Sequence, residues 1–103
     1  MSSVYSLEIT QSDGKKELKF GGDLVINHID KMAAEVRDAL AEPTDVAVSV
    51  ADPSNIDMTF VQLVIAIRHQ AKERGKKFEL ATSLKDDLKE LVVKAGLDKE
   101  LNI

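Results

Sequence analysis

Between residues 45 and 83 the chain runs through a strand-like stretch, a long apolar helical pattern and a second strand-like stretch. That alternation limits the fold more than any other feature. Val46 to Val50 is short, β-branched and nearly free of charge, the pattern of a strand buried on both faces. Asp52-Pro53-Ser54-Asn55 ends it abruptly. From about Met58 to Arg74 a helix is expected. Its first two turns carry Phe60, Val61, Leu63, Val64, Ile65 and Ile67 nearly all round, so it must be sandwiched. Gly75 stands where a left-handed residue terminates a helix, and Phe78 to Ala81 reads as the next strand. A helical crossover between two strands makes them parallel, so the run 46–50 is predicted to be the central strand.

The flanking segments extend this unit. Tyr5, Leu7 and Ile9 alternate with polar neighbours over Val4 to Thr10, as do Leu18 and Phe20 over Glu17 to Phe20. Asp13-Gly14 between them is a hairpin signal, and Gly21-Gly22 is expected to break the second strand. Ile29, Met32, Ala33, Val36 and Leu40 then follow a helical rhythm, with Asn27 and Asp30 resembling a capping box and Pro43 closing the segment. Ser83 with Asp86 is expected to open a last helix, whose Leu84, Leu88, Leu91, Val92 and Ala95 form one apolar stripe and whose end is Gly96. The expected fold is α/β in the order β-β-α-β-α-β-α, a mixed sheet of four to five strands with helices packed on it. One domain is expected over residues 1–103.

Composition narrows the function. Fourteen Lys and Arg against eighteen Asp and Glu leave a net charge of −4, which disfavours a phosphate-tracking surface, so nucleic acid is not an expected partner. The absence of cysteine removes disulfides, thiolate nucleophiles and Cys-ligated zinc, and suits a reducing, cytoplasmic setting. No apolar run approaches the roughly 20 residues of a spanning helix, and the opening Met1-Ser2-Ser3-Val4-Tyr5 has no secretory pattern.

Three stretches together resemble the STAS domain, the module of anti-sigma factor antagonists and of the cytoplasmic tails of sulfate transporters. They are Gly22-Asp23-Leu24, the run from Val48 through Asp52-Pro53-Ser54-Asn55-Ile56 to Asp57, and Ala95-Gly96-Leu97. The resemblance spans about residues 4 to 101, with the register from Asp57 to Gly75 kept without a gap. It implies a non-enzymatic, bacterial signal-transduction and transcription-regulation module. Its docking surface lies around the loop after the third strand and the start of the second helix, here Asp23, Asp52, Ser54, Asn55, Asp57, Met58, Thr59 and Gln62.

In the antagonists a serine follows the aspartate and is phosphorylated by a histidine-kinase-like anti-sigma factor, which blocks docking. Here Met58 follows Asp57, so that switch is absent at this position. Thr59 matches the second serine of many members, and Phe60 replaces a small residue. Val25 stands where many antagonists carry an acidic residue. Val25-Ile26 is more similar to members found beside chemotaxis components or in stress-signalling scaffolds, and Gln62-Leu63 resembles the former. The expected partner is therefore a protein: an anti-sigma factor, a chemotaxis component or scaffold assembly, or the ATPase of a lipid-transport complex that takes a small STAS subunit. A homodimer through the apolar residues around Met58 is a further reading.

Each residue also has a plainer role. Asp57 at a helix start is a cap. Met58 is either a gap-filling thioether in the core or an adaptable apolar contact in an interface. Thr59 is a first-turn residue or a substitute phosphorylation site. Arg68, His69, Lys72, Arg74, Lys76 and Lys77 complement the end of the second helix, and without interleaved aromatics they make a poor nucleic-acid signature. Two histidines, His28 and His69, do not make a metal site. No nucleophile elbow, phosphate-cradling loop or zinc-protease motif is present, and no cofactor is expected. Asp38, Glu42, Asp86, Asp87 and Glu90 serve solubility on exposed helix faces.

Overall fold

The computed structural model describes residues 4–103. Strands β1 (Tyr5–Ser12) and β2 (Lys15–Leu24) form a hairpin, followed by α1 (Ile26–Ala39), β3 (Asp45–Ala51), β4 (Asn55–Ile56), α2 (Met58–Glu73), β5 (Phe78–Ser83) and α3 (Asp86–Lys94). The sheet runs β1-β2-β3-β5, with β1 antiparallel to β2 and the rest parallel. The predicted α/β order and the central place of the 46–50 strand are both found. The hairpin turns at Asp13-Gly14, both at positive φ.

The two-residue β4 was not legible in the sequence. It pairs with Asp23 and Leu24 of β2, on the same edge that β3 occupies lower down. There the Gly22 and Leu24 carbonyls accept from the Ser54 and Asp57 amides, while the Asp23 amide turns the other way to Val4. The chain thus leaves the sheet at Asp52, a non-glycine residue at φ 41, and returns to it three residues later. Pro53 is buried beneath the excursion.

Gly21-Gly22 does not break the second strand, which continues to Leu24. Gly22 adopts φ 74, and a Cβ there would lie 2.5 Å from the Val4 carbonyl oxygen. Only glycine keeps this kinked strand bonded on both edges. The burial of β3 also differs from expectation. Val46, Val48 and Val50 are buried against the helices, whereas Ala47 and Ser49 remain partly open on the other face. Both capping boxes are absent. Helix α1 starts at Ile26, before Asn27, with no side-chain cap from its own Val25, and α3 starts after Lys85 while Ser83 still belongs to β5.

The core lies between the sheet and the first two helices. Leu18, Phe20 and the three β3 valines meet Met32 and Val36 of α1 and Phe60, Val64 and Ile67 of α2, and Phe20 and Phe60 meet edge to face at 5.0 Å. A second cluster joins Val61 of α2, Val92 of α3 and Leu101. Helix α2 is therefore covered on two sides, with Ile65 left exposed. The left-handed residues Gly75 and Gly96 follow α2 and α3 as predicted.

Candidate functional site

The loop after β3, the strand β4 and the first turn of α2 meet at one end of the sheet. Asp57 organises that end. Its backbone is extended, and one carboxylate oxygen accepts hydrogen bonds from the Thr59 amide at 2.9 Å, the Phe60 amide at 3.4 Å and the Thr59 hydroxyl. The other oxygen accepts from the Ile26 amide at 2.8 Å. One carboxylate thus satisfies free amides at the starts of both α1 and α2, in the positive field of each helix. This explains why α1 needs no cap of its own. Partial burial pushes the Asp57 pKa up, but the hydrogen bonds from the Thr59 hydroxyl and from the Ile26, Phe60 and Thr59 amides hold it below the ordinary carboxylate value.

Met58 is 46% exposed, so of the two readings its thioether is not a core residue. It stands on the rim of an apolar groove of about 300 Å³. Ile56, Met58 and Val61 form one wall, and Leu88 and Leu91 of α3 with Ala95 just beyond its end form the other. Leu91 is 63% exposed. The stripe expected to bury α3 therefore packs through Leu84 and Val92 and leaves its other edge open. Ile26, also largely exposed, adds apolar surface beside the Asp57 carboxylate. These α3 residues were missed at the level of sequence, although the stripe carries more apolar positions than a nine-residue helix needs for a single contact.

The other predicted residues fall into two groups. Asp52, Ser54 and Asn55 are exposed on the approach to α2, held by backbone bonds from the Asp52 amide to Ser83 and the Ser54 amide to Gly22. The Asn55 side chain accepts from the Ile56 amide at 2.9 Å. Gln62 is exposed one turn into α2. Asp23 shares its backbone pairing with Asn55, but its carboxylate lies 3.5 Å from the His28 imidazole and does not line the groove. Thr59 is partly buried, with its hydroxyl engaged by Asp57.

Two of the basic side chains near the end of α2, Arg68 and Arg74, are occupied with the fold, while Lys72, Lys76 and Lys77 stand exposed. Arg74 donates to the Leu40 carbonyl at 2.6 Å, and Lys16 donates to the Ala39 carbonyl at 2.6 Å, so the two cations close the C-terminus of α1. Arg68 donates to the Glu100 carbonyl at 3.0 Å and lies 5.3 Å over the Phe78 ring. Among the described residues no three histidine or carboxylate side chains gather into a metal-holding group, and no helix is long and apolar enough to cross a membrane.

A fold of this order, with exposed apolar side chains from α1, α2 and α3 (Ile26, Met58 and Leu91) near the start of α2, fits the resemblance drawn from the sequence. The family model described as "Mlab, STAS domain" matches residues 7–103, nearly the whole chain. The chain belongs to the STAS domain family. No curated protein matches it. STAS domains are generally non-enzymatic interaction modules, and membership of the family supports an interaction module of that general type.

Proposed function

We propose that the protein docks a signalling partner through the surface from Pro53 to Gln62, with the α2–α3 groove as its apolar centre. The partner is of the histidine-kinase-like anti-sigma type. The observation that carries this reading is Met58, exposed at the helix start on the rim of an open apolar groove. A phosphoserine at that point would bring about −1.5 to −2 charges. A thioether accepts no phosphoryl group, so this position stays in the binding-competent form and the partner is held by competition or scaffolding. The setting proposed is the bacterial cytoplasm. Asp57 acts by shaping the surface, since its oxygens are committed to the two helix starts.

Thr59 is the remaining hydroxyl for modification. A phosphoryl group on it would remove its hydrogen bond to Asp57, so phosphorylation would loosen the cap as well as add charge. Mass spectrometry of protein from its own host decides whether that occurs.

Val25 and Met58 both depart from the antagonist pattern and support a second reading. In it the domain is a permanent small subunit, on the ATPase of a lipid-transport complex or in a chemotaxis or stress-signalling scaffold. Affinity purification from native lysate with wild-type and Met58→Asp protein separates these readings. A kinase-like anti-sigma factor recovered with wild type and lost with the variant supports the first, and an ATPase or a scaffold component lost in the same way supports the second. Full retention of the partner by Met58→Asp removes the docking surface from both, and self-association lost in the variant assigns the patch to a homodimer.

A further inference from the structure

Among the described residues, the sheet is covered on one face only. The crossovers β2-α1-β3 and β3-α2-β5 step in the same direction across it, and right-handed crossovers that keep one direction place their helices on one side. Parallel strands are ordinarily covered on both faces. Here the outward residues of β2, β3 and β5 surround a hollow of about 480 Å³ on the bare side.

The floor of the hollow is made of small residues, Ala47 and Ser49 of β3 with Ala81 of β5. Glu8, Glu17 and Lys19 rise along the β1–β2 side, and Glu79 rises along the β5 side. Glu17, Ala47 and Glu79 share one cross-strand row, so two carboxylates flank an alanine. Strands β2 and β5 are two strand spacings apart, roughly 10 Å, which matches the diameter of about 10–12 Å of an α-helix with its side chains. The walls carry three carboxylates against one ammonium. A second copy laid face to face would oppose like charges, which disfavours it. The ion pair of Lys15 with Glu79, 3.5 Å long and exposed at the edge, is of the weak kind that an incoming cation exchanges.

We infer that this bare sheet face is a second docking surface, and that it takes a basic amphipathic helix of a partner protein. The helix lies along β3, with small or aliphatic residues over Ala47 and Ser49 and lysine or arginine reaching Glu17 and Glu79. It is on the opposite side of the sheet from α2, so the inference does not depend on the groove. A domain with two such surfaces can hold two partners at once.

The test is two-dimensional NMR of the ¹⁵N-labelled full chain, titrated with a capped helical peptide of about four turns. The peptide carries alanine and leucine on one stripe and lysine on the flanks, and a twin carries glutamate for each lysine. The expected shifts centre on Lys19, Ala47, Ser49 and Ala81, and the glutamate twin binds at least about tenfold more weakly. Ala47→Arg abolishes the shifts. The double variant Glu17→Gln with Glu79→Gln, which keeps the shape of the walls, weakens binding about threefold or more and decides the matter if Ala47→Arg does not fold. Shifts centred on Met58 and Leu91, equal binding by the twin, or no shifts at about 1 mM peptide overturn the inference.

Discussion

The two ends of α2 are built on opposite principles. At the C-terminal end the long cationic side chains dominate the sequence, yet Arg68 and Arg74 are spent on carbonyls and a ring of their own molecule. At the N-terminal end one small carboxylate does the binding to the fold, and the large side chains beside it, Met58 and Ile26, are left in solvent. A cluster of charge is therefore a poor guide to a docking surface when unsatisfied carbonyls lie within its reach. Exposed apolar atoms have no such internal partner, and covering them is favourable at roughly 25 cal/mol per Å².

This contrast can be broken most strongly at Phe60, which anchors the N-terminal end in the core. Phe60→Ala is expected to destabilise by about 4 kcal/mol in urea unfolding. Asp57→Ala comes next, at about 2 kcal/mol, because it uncaps two helices at once. If its cost is no greater than that of an ordinary single cap, about 1 kcal/mol, the bond to Ile26 contributes nothing. Arg74→Ala is expected to cost about 1 kcal/mol, measured the same way, through loss of its bond to Leu40. The smallest effect is at Met58. Met58→Asp should change stability by no more than about 0.5 kcal/mol, so that any loss of partner binding reports the surface and not the fold.

The same carboxylate sharpens the comparison through pH. Its folded-state pKa is held below the ordinary value of 3.8. The stabilisation it provides is accordingly present in full above that value and is lost as pH falls through the lower folded-state pKa. Urea midpoints of wild type should fall over this acid range more steeply than those of Asp57→Asn. Parallel slopes would show that the carboxylate is no better held in the folded chain than in the unfolded one.

Much of the fold was legible because it rests on local repetition. The β-branched run 46–50, the helical spacing of Ile29, Met32, Val36 and Leu40, and the glycines at 75 and 96 each act through neighbours within a few residues. The two capping failures share one cause. Asn27 with Asp30 and Ser83 with Asp86 have the spacing of capping boxes, but α1 takes its cap from Asp57, thirty-one residues away, and β5 keeps Ser83 for pairing with Ala51. A long-range bond displaced a local one in each case. Of the candidate docking residues, the stretch from Asp52 to Thr59 came from the family resemblance, whose motif is contiguous in the chain. The wall of Leu88, Leu91 and Ala95 lies elsewhere in the chain and joins it only in space.

The order of elements, the parallel centre of the sheet and the missing hydroxyl at position 58 were determined by the sequence alone, since each depends on residue type and on spacing along the chain. Tertiary structure decided three other matters: that Asp57 serves two helices, that Met58 faces outward beside α3, and that one side of the sheet is left uncovered by the described residues. The physical reason is that caps, grooves and bare faces are defined by which groups remain unsatisfied after packing. That remainder depends on contacts between segments far apart in the chain, where no local pattern records it.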